Sequence, residues 1–138
     1  MLKGMTHVAV AVGNLDRACA FWQDVMGAQI EGRTMVPAQK IEIAFVKLGG
    51  GARLELLSPT DDDSPVARFL AKNGPGMHHI CIGVDDIAAH MEHLADHGVK
   101  LIDRAPRSGA EGHLIAFLHP SSTLGTLIEL SESPETKG

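Results

Sequence analysis

At 138 residues, 44% hydrophobic and 21% charged, the chain has the ordinary composition of a soluble protein and the size of one compact domain, or of two very small modules sharing a core. Its formal charge of −5 argues against a general nucleic-acid binder, which needs a basic surface. With 4% aromatic residues, no tyrosine and a single tryptophan, Trp22, it lacks a broad stacking platform for bases or sugars.

Met5 to Val12, MTHVAVAV, is short and valine-rich and reads as a strand. Asn14 is placed to cap a helix from about Leu15 to Met26, with apolar Leu15, Ala18, Cys19, Trp22 and Met26 on one stripe and Gly27 as its stop. Ala28 to Val36, Ile41 to Leu48 and Ala52 to Leu57 read as strands. The glycines 49–51 form a hairpin turn, since no helix follows them as a phosphate-cradling loop requires. From Pro59 to Pro75 the texture changes. Asp61, Asp62 and Asp63 read as a solvated loop rather than a cation site, followed by a capping Ser64, Pro65 at the first helical position and a helix to Asn73. Met77 to Val84 is a strand, Asp85 to His97 a helix ended by Gly98, and Val99 to Arg104, Gly112 to Leu118 and Gly125 to Leu130 are further strands.

The second half therefore repeats the first. THVAVAVGNL matches HHICIGVDDI, Gly27 matches Gly98, and GARLELLS matches GTLIELSE, so both halves read β-α-β-β-β. The expected fold is α+β: two tandem modules, residues 1–58 and 76–138 (the latter with a C-terminal tail), joined by a linker at 59–75 and forming a curved mixed sheet around a metal site.

The duplication sets His7 and His79 at the start of the first strand of their halves, and Glu55 and Glu129 in the last. The His-to-Glu spacing is 48 residues in one half and 50 in the other. Singly, each residue has a plainer reading as a surface histidine or an outward-facing strand glutamate. Their matched placement points instead to one divalent cation shared by two imidazoles and two carboxylates. Such a set suits Co²⁺, Mn²⁺, Ni²⁺, Zn²⁺ or Fe²⁺.

Cys19 and Cys81 lie far apart among apolar residues, which fits buried thiols in a reduced cytoplasmic compartment better than a disulfide framework. Six residues before His7 leave no room for a signal or transit peptide, though a mature mitochondrial matrix form would read the same. No apolar run is long enough to span a bilayer.

HVAVAV at His7, LELLSPTDDDSPVARFL from Leu54, GMHHICIGVDDI from Gly76 and FLHPSSTLGTLIEL from Phe117 resemble the vicinal oxygen chelate superfamily (glyoxalase/bleomycin-resistance/dioxygenase) and, within it, the methylmalonyl-CoA epimerases. The resemblance runs from about residue 5 to 131. It implies metal ligands His7, Glu55, His79 and Glu129, with glutamine tolerated at position 55, with His78 turned away, and with Co²⁺ first among the candidate cations. It also implies an acyl-CoA thioester substrate, a homodimer, and interconversion of (R)- and (S)-methylmalonyl-CoA by α-proton abstraction through a metal-stabilised enolate, with Glu129 as base. The second glutamate of some epimerases aligns with Ile43. Glu42 lies one residue earlier, and in a strand that offset turns a side chain to the opposite face.

His90, His93 and His97 share a helix face that reads as hydrated. His113 and His119 flank a strand, and Arg53, Arg68, Lys72, Arg104 and Arg107 are equal candidates for CoA phosphates. A glyoxalase I-like lyase acting on a glutathione hemithioacetal, a thiol-transferring resistance enzyme and a non-catalytic drug-binding protein share the scaffold. The last has no need of all four ligands, and a larger extradiol dioxygenase would need more modules.

Overall fold

The computed structural model describes residues 1–134; the end of the expected C-terminal tail, residues 135–138, lies outside the described residues. The described residues form two compact units, residues 7–78 and residues 79–134 together with 1–6. Each half of the sequence runs β-α-β-β-β. The first is β1 (Leu2–Ala11), α1 (Leu15–Ala20), β2 (Gln29–Val36), β3 (Ile41–Gly49) and β4 (Ala52–Pro59), followed by α2 (Pro65–Asn73). The second is β5 (Gly76–Val84), α3 (Ile87–Asp96), β6 (Arg107–Ser108), β7 (Leu114–Leu118) and β8 (Ile128–Glu132). The class is α+β.

In the unit 7–78 the strand order is β2-β3-β4-β1, with β1 parallel to β4 and the other pairs antiparallel. Strand alternation sends Val8, Val10, Ala44, Val46, Leu54 and Leu56 to one face, where they pack on Leu15 and Cys19 of α1. Asn14 caps that helix by accepting the Arg17 amide at 3.0 Å. The expected helix to Met26 changes character at Phe21. Residues Phe21–Val25 form a wider π turn, in which the Met26 amide reaches the Phe21 carbonyl at 3.0 Å. This turn keeps Trp22 against the core while Phe21, Val25 and Met26 are exposed. The glycine hairpin follows from its backbone: residues 49–51 all have positive φ, which only glycine adopts without strain. The aspartate run is a loop, as read. Ser64 Oγ accepts the Val66 amide at 3.1 Å, and Lys40 pairs with Asp63, holding that carboxyl below its usual range.

The second unit has the order β5-β8-β7-β6, with β5 parallel to β8. Its core is Val84, Ile87, Met91, Ala116, Leu118 and Leu130. The amino-terminal segment belongs here, since Thr6 Oγ1 donates to the Cys81 carbonyl at 3.3 Å. Gly98 ends α3 with φ 81°, the value Gly27 has after the first helix.

One expected strand is absent. Val99 to Arg104 keeps a bridge at Leu101–Leu118 and a bond from the Ile102 amide to the Phe117 carbonyl, at 2.9 Å. The ladder then stops because the Asp103 side chain, not a backbone carbonyl, accepts the Phe117 amide, at 2.7 Å. Pairing with β7 resumes only at Arg107 and Ser108. No described helix is long and apolar enough to cross a membrane.

Glu132 was not singled out by sequence. It is buried, and its carboxylate accepts the amide of Ile87, the first residue of α3, at 2.9 Å. A carboxylate there satisfies an orphan amide and meets the positive end of the helix dipole. Replacing it by alanine should cost about 2 kcal/mol, read as a fall of about 5 °C in thermal midpoint, with glutamine in between. An unchanged midpoint would show that the cap contributes nothing.

Candidate functional site

Residues directly opposite in a strand ladder share a face, so register alone assigns the site side chains. In the unit 7–78, Glu55 lies opposite Ala9 on β1 and Phe45 on β3. His7, two residues before Ala9, joins that face, which is the one turned away from α1. His7 Nδ1 lies 3.0 Å from Glu55 Oε2, and both side chains are largely buried. Arg53 approaches the same carboxylate oxygen at 3.5 Å and lays its guanidinium over the Phe45 ring, 4.3 Å from its centre.

The unit of residues 1–6 and 79–134 repeats this pattern. Glu129 lies opposite Cys81 on β5 and Phe117 on β7, and His79, two residues before Cys81, brings Nε2 to 3.1 Å from Glu129 Oε1. The His79 ring stands edge-on to Phe117 with centroids 5.3 Å apart. Arg107 hangs over Phe117 at 5.7 Å, its Nε donating to Asp103 at 2.8 Å. Each half thus contains a largely buried imidazole–carboxylate pair, a phenylalanine opposite the carboxylate and an arginine over the ring.

Small buried residues, Ala9 and Cys81, occupy the position beside each glutamate. Buried carboxylates demand a compensating positive charge, and nitrogen and oxygen donors of this kind fit a borderline divalent cation. His7 with Glu55 in one unit, and His79 with Glu129 in the other, present donors of that kind. Both cysteines are buried and unbridged.

The remaining candidates separate by position. Glu42 pairs in register with Met35 and Ser58 and falls on the α1 face with Ala44, opposite to Glu55. Ile43 occupies the Glu55 face. His78 packs edge-on against Phe69 of α2 at 4.9 Å. His113 Nδ1 meets Ser131 Oγ at 2.9 Å, and Ser131 shares the face of Glu129 two residues earlier. His119 Nδ1 accepts the Ser121 amide at 3.0 Å in a turn. Arg68 donates to the Asp63 carbonyl at 2.7 Å. His93 of α3 and His97, which caps it, are exposed with ring centroids 4.2 Å apart, and burial holds His90 below the ordinary histidine value.

Sequence reading missed the two phenylalanines opposite the glutamates and the two arginines over their rings. The signal was present: the string I-A-F occurs at Ile43–Phe45 and again at Ile115–Phe117.

The pattern of the Glyoxalase/Bleomycin resistance protein/Dioxygenase superfamily matches residues 6–117. The mitochondrial methylmalonyl-CoA epimerase of Homo sapiens is 40% identical over 133 residues, 96% of this chain and 75% of that protein. The ethylmalonyl-CoA/methylmalonyl-CoA epimerase of Cereibacter sphaeroides is 36% identical over 134 residues, 96% of this chain and 99% of that one. Among solved structures, the methylmalonyl-CoA epimerase from Mycobacterium tuberculosis superposes with a TM-score of 0.92 at 33% identity, covering 99% of this chain and 92% of that one.

Proposed function

The chain belongs to the Glyoxalase/Bleomycin resistance protein/Dioxygenase superfamily, and from that premise we propose that it is an isomerase interconverting (R)- and (S)-methylmalonyl-CoA. The observation that carries the reading is the repeated site pattern. One His–Glu pair per half, at the same register positions and on the face turned from the helix, supports a single divalent cation served by His7, Glu55, His79 and Glu129. Co²⁺ heads the candidates, followed by Mn²⁺, Ni²⁺, Zn²⁺ and Fe²⁺. A homodimer in the cytoplasm belongs to the same reading.

The reaction inverts a carbon held between a thioester and a carboxylate. Its barrier is the negative charge that develops on the thioester oxygen when the α-proton leaves. When bound, a divalent cation supplies positive charge for that oxygen. Glu129 is the proposed base. It takes the α-proton as the C–H electron pair moves into the thioester carbonyl, and it is held in place by the His79 ring. Glu55, steadied by His7 and Arg53, binds without moving a proton. Phe45 and Phe117 each fill the position across from a glutamate and exclude water from one side of it. Inversion needs a proton from the opposite face, and Glu42 points the wrong way to supply it. A second acid or water does so.

The deciding experiment incubates methylmalonyl-CoA with the protein in deuterium oxide and follows the α-proton by NMR. The expected result is exchange together with epimer interconversion. Formation of lactoylglutathione from the glutathione hemithioacetal, without α-proton exchange in methylmalonyl-CoA, would move the chain to the lyases and end this proposal.

A further inference from the structure

Helix α3 and its cap carry three imidazoles that the His–Glu chemistry does not use. His90, His93 and His97 follow one another at i, i+3 and i+7, so they stand in a row along one stripe of the helix. His93 is in the middle, its ring centroid 6.4 Å from that of His90 and 4.2 Å from that of His97. His93 and His97 are both exposed, and two imidazoles held this close repel each other when protonated.

The bond at His97 decides which of its ring atoms is left to act. Its Nδ1 lies 2.8 Å from the His93 carbonyl, which can only accept, so Nδ1 carries the proton. The lone pair of the neutral ring is then on Nε2. One ring nitrogen anchored on a carbonyl, with the other left as donor, is the arrangement of a metal-ligating histidine. His93 precedes it by four residues, the spacing at which one helix face presents two imidazoles to a single ion. The surroundings also favour a cation. The pair lies at the carboxyl end of α3, where the last carbonyls concentrate negative charge. From Asp85 to His97 the sequence holds four carboxylates and no lysine or arginine.

We propose that His93 and His97 form a second metal site, for an imidazole-seeking divalent ion such as Zn²⁺, Ni²⁺ or Cu²⁺. Water fills the remaining positions, so a hydrated helix face and a metal site are one and the same here. Nitrogen donors alone select against Mg²⁺ and Ca²⁺. His90 stays outside the site, half-buried and with its ring farther from His93. The site is independent of the epimerase reading. With two protein ligands rather than the four proposed for the His–Glu pairs, it fills after them and empties on desalting. It therefore adds nothing to a count of tightly held ions.

The test titrates the chain carrying one equivalent of Zn²⁺ with more Zn²⁺, followed by calorimetry and by NMR of the histidine rings. Before the addition, the ring nitrogen shifts of His97 should place its proton on Nδ1. A second, saturable step should then move the Nε2 signal of His97 and the ring signals of His93. His93→Ala and His97→Ala should each weaken this step by at least about tenfold, since loss of an outer-shell partner alone costs that much. Neither should change the first step or α-proton exchange, because neither residue belongs to the His–Glu pairs. His90→Ala should leave the second step in place, which separates the loss of a ligand from a disturbed helix. Mg²⁺ should give no step. Absence of the second step, its survival in either His93→Ala or His97→Ala, its loss in His90→Ala, or an equal step with Mg²⁺ overturns the proposal. A wild-type protein that shows the step yet exchanges no α-proton would remove the epimerase reading and keep this site.

Discussion

Glu129→Gln should lower the rate of α-proton exchange from methylmalonyl-CoA by about 10³-fold, the scale expected for loss of a positioned general base. The amide is nearly the same size as the carboxylate and still offers an oxygen towards His79, which now lies 3.1 Å away, so the ladder with Cys81 and Phe117 need not change. What disappears is the ability to take up a proton. The same substitution at Glu55 should cost less than about tenfold, because glutamine keeps an oxygen donor and the proposed role of Glu55 involves no proton transfer. Glu42→Gln should leave exchange within about twofold, since its side chain is on the α1 face of β3 and a strand cannot present one residue to both faces. Deuterium incorporation measures all three, with thermal midpoints confirming that each variant is folded. If Glu55→Gln proved as damaging as Glu129→Gln, the division of labour between the two halves would be wrong.

The arrangement of the two halves was only partly legible in the sequence. The duplication was, because it is written in apolar periodicity and in strings such as LELLS and LIELS, and the helix stops at Gly27 and Gly98 follow from the one residue that accepts φ of 81° freely. The parity argument that separates Glu42 from Ile43 needs only a strand, so it too could be made in advance. Register could not. The opposition of Phe45 to Glu55 and of Phe117 to Glu129 depends on how β3 and β7 align with their neighbours, and a shift of one residue would undo each. The strand expected at 99–104 failed for a different reason. Its apolar residues fit a strand, but Asp103 substitutes its carboxylate for the backbone acceptor, a competition that periodicity does not register. Glu132 was overlooked because the expected strand stopped at Leu130, whereas β8 runs on to Glu132 and brings its carboxylate to the amino end of α3.

The remaining large effect concerns the cation. Removing divalent metal with a chelator should abolish exchange, and Co²⁺ or Mn²⁺ should restore it. The restoring ion should also raise the thermal midpoint, since a ligand at about 100 times its dissociation constant stabilises the folded state by about 2.7 kcal/mol. Stoichiometry and coupling then test whether the two halves serve one ion. If they do, metal analysis gives one ion per chain. His7→Ala and His79→Ala should each remove the metal-dependent rise, and the double variant should lose little more than either single one, because residues acting as a unit are not additive. Two independent ions, one per His–Glu pair, would give the opposite pattern: two ions per chain and half the rise surviving in each single variant. Each His–Glu pair alone supplies one imidazole and one carboxylate, fewer donors than a borderline cation takes in a protein site. Additive losses would show that the two pairs do not serve one ion.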